Sequence, residues 1–92
     1  MKSGEKYVVI KGGKFRNSEQ RMKVGEIWDL VYSEAFECHE LRKLNQRGGC
    51  IMLLNGIPCV RSGLASGHLA LLDTNDPRHI EHDALRYRVR AR

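Results

Sequence analysis

Cys50-Ile51-Met52-Leu53-Leu54-Asn55-Gly56-Ile57-Pro58-Cys59-Val60-Arg61 is the strongest local signal in the chain. Asn-Gly between two apolar runs is the signature of a type I′ hairpin, because both central residues of that turn need positive φ. A two-residue loop would pair Leu54 with Ile57 and Met52 with Cys59. Cys50, Met52 and Cys59 would then share one face, and Ile51, Leu53 and Val60 the other. Both faces are apolar, so the expected hairpin is core. Cys50 and Cys59 would sit diagonally, too far apart for an easy disulfide.

Working outward, Lys6 to Lys11 is short and β-branched and reads as a first strand, bounded by Gly4 and by Gly12-Gly13. The polar stretch 16–23 reads as a loop. Val24 to Tyr32 carries Ile27, Trp28, Leu30, Val31 and Tyr32 and reads as a second, central strand with Trp28 in the core. Ser33 to Arg47 has no β-branched residue, glycine or proline. Its acids come early and its bases late, and Gly48-Gly49 comes next, so a helical insertion is expected over about 34–47. A long polar strand beginning near Phe36 and Cys38 is the competing reading. Ser62 to Gly67 reads as a small-residue turn and His68 to Asp73 as a last core strand. Asp76-Pro77 is a helix start, with one or two turns expected over 77–83. From Leu85 the chain alternates: Leu85, Tyr87, Val89 and Ala91 against Arg86, Arg88, Arg90 and Arg92. Period two argues an extended arm with one arginine face; a continuing helix is the alternative, since Ile80, Ala84 and Tyr87 also match helical spacing.

The expected fold is mainly β with a minor helical part: a small barrel of about five strands over residues 1–74. Residues 75–92 form a C-terminal arm rather than a second domain. Residues 6–73 resemble a Src-homology-3-type barrel. The likeness rests on the order of parts and on two phrases, Met22-Lys23-Val24-Gly25-Glu26-Ile27-Trp28-Asp29-Leu30-Val31 and Ser62-Gly63-Leu64-Ala65-Ser66-Gly67-His68-Leu69-Ala70-Leu71-Leu72-Asp73. Peptide-binding members of that family carry aromatics in the first strand, at the start of the third strand and in the closing turn. Here those stretches read Val8-Val9-Ile10-Lys11, Gly49-Cys50-Ile51 and Ala65-Ser66-Gly67-His68. The resemblance therefore implies the fold and argues against recognition of a polyproline helix. Barrels of this type often bind nucleic acid or other proteins.

The chain has 92 residues, which allows one modest core. No apolar run approaches the ~20 residues of a membrane span. Three cysteines without a Cys-x-x-Cys pair argue for free thiols in a reducing, cytoplasmic setting. The net charge of +5 is uneven. Residues 1–23 carry seven Lys/Arg against Glu5 and Glu19, the middle is slightly acidic, and the final excess lies in the four arginines of the arm.

No catalytic constellation emerges. Gly63-Leu64-Ala65-Ser66-Gly67 lacks nucleophile-elbow spacing, so Ser66 reads as a turn residue. Adjacent Cys38 and His39 point to different faces. Glu34, Glu37 and Glu40 read as an exposed helix face. His79 and His82 lie three apart near Asp76 and Asp83, but without another close ligand they read as a solvated face rather than a metal site. No cofactor is expected. The favoured function is a non-enzymatic module that binds DNA or RNA through Lys11, Lys14, Arg16, Arg21 and Lys23 together with Arg86, Arg88, Arg90 and Arg92. The alternative is a protein-interaction module: a small regulator or inhibitor, of the kind phages make, docking on a larger host protein, or binding an acidic surface. The C-terminal strand also suits pairing with a second copy.

Overall fold

The computed structural model describes residues 3–16, 18–44 and 50–82. Its elements are β1 (Lys6–Val9), β2 (Gly13–Lys14), β3 (Arg21–Met22), β4 (Ile27–Ser33), β5 (Cys38–Leu44), β6 (Cys50–Leu53), α1 (Gly56–Ser66) and β7 (Leu69–Leu72). Residues 77–82 are also helical. Five strands form one antiparallel sheet in the order β6-β5-β4-β1-β7, and β2 and β3 form a separate hairpin. Among the described residues no ladder joins β6 to β7, so the sheet has two edges and no closed barrel. No helix among the described residues is long and apolar enough to cross a membrane.

Apolar content positions four of the strands. Tyr7, Val9, Trp28, Leu30, Leu41 and Leu69 fall on one face because Tyr7 opposes Trp28, Leu30 opposes Leu41 and Val9 opposes Leu69. That face is closed by Cys59 and Val60 of α1 and by Phe15 and Met22 of the small hairpin. The Phe15 ring meets the Trp28 indole edge to face, with centroids 4.9 Å apart. The first strand stops at Val9 rather than Lys11, and the second runs Ile27–Ser33 rather than Val24–Tyr32.

Two expectations are corrected. The helix expected over 34–47 is instead a turn at 34–37 followed by β5, in line with the competing strand reading. Ser33 opposes Cys38 across the turn, and Glu37 adopts left-handed backbone, with φ 52°. A helix here would present only a narrow stripe. The strand places Leu41 between Leu30 and Leu53 and gives the central β4 its second ladder. Glu40, expected on an exposed face, is 1% exposed and bound by Arg42 at 2.8 Å. The ion pair compensates a burial that would otherwise be prohibitive.

The hairpin expected over 50–61 is the second correction. Asn55 does take left-handed backbone, with φ 58°, but it serves as the N-cap of α1, and Gly56 is not a positive-φ residue. Pro58 sits in the first helical turn, where its missing N–H costs nothing. Cys59 is therefore on a helix, not opposite Met52, and both Cys38 and Cys59 are free thiols. Gly56, Cys59, Val60 and Gly63 are the buried positions of α1, the i, i+3, i+4, i+7 stripe of a helix. The glycines are needed for close approach. A Cβ on Gly56 would stand 2.9 Å from the Leu41 backbone nitrogen, and one on Gly63 would stand 2.5 Å from Leu69 Cδ1. The expected turn at 62–67 is thus the end of α1. Gly67, φ 77°, closes it, and the His68 N–H bonds back to the Gly63 carbonyl at 2.9 Å.

The opposite face of the sheet is polar yet largely covered. Lys6 Nζ lies 3.9 Å from Asp29 Oδ1, and His82 Nδ1 lies 3.7 Å from the same oxygen, with all three side chains at least mostly buried. Asp76 starts the 77–82 helix, as expected, accepting from the Arg78 N–H at 2.8 Å. His79 is buried and His82 half-buried, so they turn toward the sheet rather than forming the solvated face that was expected.

Candidate functional site

Five basic residues foreseen from sequence are brought together on one projection. Lys11 precedes β2, Lys14 lies on it, Arg16 follows it, Arg21 lies on β3 and Lys23 follows β3. All five are exposed. The hairpin is held to the body by apolar anchors, Phe15 and Met22, which point inward beside the outward cations. Its base is tied to β7: the Lys11 N–H bonds the His68 carbonyl at 3.3 Å, and Gly13 lies flat against the His68 ring. A Cβ on Gly13 would come within 3.1 Å of that ring.

Lys14 and Arg21 stand directly opposite across the hairpin. Directly opposed residues share a face, so two cations of like sign face solvent side by side, an arrangement that costs stability in an isolated protein. Glu19 relieves it only in part. Its carboxylate reaches Lys14 Nζ at 3.3 Å from a nearly fully exposed position. The neighbouring Glu26 is occupied elsewhere: it binds Lys43 and accepts from the Lys23 N–H at 2.7 Å. Lys43 in turn lies over the Trp28 ring, 5.7 Å from its centroid.

Base stacking by Tyr7 or Trp28 is closed off, because both rings are buried. The exposed aromatics lie at the far end of β4, Tyr32 on the strand itself and Phe36 in the turn that follows, about 20 Å away along a seven-residue strand. Of the acids, Glu34 and Glu37 lie in that turn, Glu5 precedes β1 and Asp73 follows β7, whereas Glu19 pairs with Lys14 and Glu26 with Lys43. The fold thus gathers the N-terminal bases on one hairpin and leaves the exposed aromatics at the far end of β4. Arg86, Arg88, Arg90 and Arg92 lie outside the described residues.

One nucleophile–base contact was not foreseen. Ser66 Oγ lies 2.6 Å from His68 Nδ1, because Gly67 turns the chain back on the helix end. Ser66 Oγ also lies 3.3 Å from the Gly63 carbonyl. Among the described residues no carboxylate is hydrogen-bonded to the other ring nitrogen, the place of the third member that an activated serine needs. Nor do the described residues hold a cluster of three or more His, Cys, Asp or Glu side chains able to bind a metal.

No family model matches the sequence, and no curated protein or solved structure matches it significantly.

Proposed function

We propose that this chain is a non-enzymatic nucleic-acid-binding module with a small barrel-like fold of the Src-homology-3 type. The strand order supports the fold reading: β1 pairs with both β4 and the last strand β7, while β4, β5 and β6 succeed one another as a meander. The observation that carries the functional reading is the Lys14–Arg21 pair, opposed on an exposed hairpin with Lys11, Arg16 and Lys23 around it. Like charges held face to face destabilise the free protein, and a phosphate placed between them turns the repulsion into two attractions. The absence of exposed rings beside the described hairpin favours backbone contact over base reading, so binding should be sequence-independent. The arginines of the arm would extend the same track.

The test is a mobility shift of the intact chain with duplex and single-stranded DNA and RNA at about 50 mM salt, where counterion release favours binding most. Retardation that disappears as salt is raised supports the reading. A chain that shifts none of the four probes at that salt removes it.

A second reading, a protein-interaction module, is favoured by Tyr32, 46% exposed near the end of β4, and Phe36, 59% exposed in the turn after it. Tyr32 stacks edge to face on His39 at 5.2 Å, giving that end a rigid aromatic surface. A small regulator would use that surface to dock on a larger partner.

A further inference from the structure

His68 follows the helix stop at Gly67 and sits between the end of α1 and the base of the basic hairpin. Its carbonyl accepts from the Ile10 N–H at 2.8 Å and from the Lys11 N–H at 3.3 Å, so its backbone is fixed to the segment that opens the hairpin. Its half-buried ring lies along Gly13, where a Cβ would stand 3.1 Å from both Cδ2 and Nε2. A methyl group would press on that edge of the ring, and glycine leaves room there.

The other edge is held by a hydrogen-bond relay. Ser66 Oγ–H donates to the Gly63 carbonyl at 3.3 Å. With its proton committed there, the same oxygen accepts from His68 Nδ1–H at 2.6 Å. Nδ1 therefore keeps its proton in both charge states, and Nε2 is the nitrogen that gains or loses one. The neutral ring presents a bare acceptor at Nε2, which repels a phosphate oxygen. The charged ring presents an N–H donor, which attracts it. The charged groups on the elements packed against this ring are the five hairpin cations, Glu19 on Lys14, Lys6 of β1 at the Leu72 end of β7, and Arg61, the one charged side chain of α1. The hairpin cations oppose a further positive charge in the free protein, while the carbonyl end of α1 favours it. A phosphate seated on the hairpin removes the opposition and adds an attraction.

Resting on the reading of the hairpin as a phosphate-binding surface, we propose that His68 joins its five cations as a contact to the nucleic-acid backbone made only when Nε2 is protonated, so that binding takes up a proton and strengthens as pH falls.

The test measures the intact chain on a labelled duplex DNA at about 50 mM salt. It compares about pH 5.5 with about pH 8, the interval in which histidine changes charge. The parent should bind about fivefold tighter at the lower pH, the worth of one partly exposed charge pair. Its slope of log K against log salt should be steeper there by about 0.9, one more neutralised phosphate. His68→Gln keeps a polar side chain without the titration and should lose both differences, although His39, His79 and His82 remain. Circular dichroism at both pH values checks its folding. An NMR titration of the parent's imidazole gives a reading that needs no variant: the duplex should move the His68 titration to higher pH. Salt-dependent binding with no pH effect, a pH effect that persists in folded His68→Gln, or a His68 titration that the duplex leaves in place each overturns the role of His68 and leaves the hairpin reading standing. A parent that binds the duplex at neither pH removes both.

Discussion

Gly56→Ala tests the seating of α1 on the sheet. The new methyl group would meet the Leu41 nitrogen at 2.9 Å, Leu30 Cδ1 at 3.0 Å and the Glu40 carbonyl carbon at 3.1 Å. Two of these three atoms are backbone of β5, which cannot turn aside as a flexible side-chain end would. Overpacking of this kind costs about 1–3 kcal/mol, and the rigid neighbours place it near the upper end. Alanine recovers up to about 1 kcal/mol of helix propensity, less in the first turn. The net loss is about 2 kcal/mol, which for a chain of this size lowers the melting temperature by roughly 10 °C. Gly67→Ala is the contrasting variant. It has open space around its Cβ position but a φ of 77°, so it should cost only about 1 kcal/mol through backbone strain. Thermal unfolding followed by circular dichroism reads both. A Gly56→Ala chain as stable as the parent, or more stable, would show that α1 does not lie against β5.

Phe15→Ala should destabilise by about 3 kcal/mol and shift Trp28 emission to the red, because the Phe15 ring covers the indole and anchors the basic hairpin; unchanged emission would detach the hairpin from the core. Cys38 should react with a thiol reagent in the native protein well before Cys59, whose burial raises its pKa, and equal rates would contradict that burial. The Arg78 hydrogen bonds hold the Asp76 carboxyl down at about 2, so its folded pKa lies below the unfolded value. The resulting stabilisation is present above the ordinary carboxylate pKa of about 4 and is lost as pH falls through about 2. A carboxyl titration followed by NMR should move back toward the ordinary value in Arg78→Gln; no movement would remove Arg78 as the cause.

How far the fold could be read depended on what each element buries. β1, β4 and β7 were legible because Tyr7, Val9, Trp28, Leu30 and Leu69 put large apolar side chains on one face. Asp76-Pro77 was legible because capping is a local event. β5 was hidden by its second face, where Glu40 and Arg42 are covered as an ion pair and therefore look like surface residues in sequence. α1 was hidden for the opposite reason. Half of its buried stripe is glycine, which signals close approach rather than burial, and the preceding Asn55-Gly56 is a strong signal for another structure. Asn55 does take the conformation that the signal promises, but tertiary packing makes the next element a helix instead of a strand. Of the candidate site, the five N-terminal cations were legible as charges. Their gathering on one hairpin was not, because Phe15 and Met22, the anchors that orient it, are isolated apolar residues in a polar stretch.

The central claim is that the β2–β3 hairpin binds nucleic-acid phosphates. The most direct measurement is the slope of log K against log salt on duplex DNA for the parent chain and for Lys14→Gln/Arg21→Gln. Each neutralised phosphate contributes about −0.9, so removing the opposed pair should flatten the slope by about two, alike for all sequences. Relief of their repulsion should leave the melting temperature unchanged or slightly raised. A double variant with the parent's slope and affinity would contradict the account.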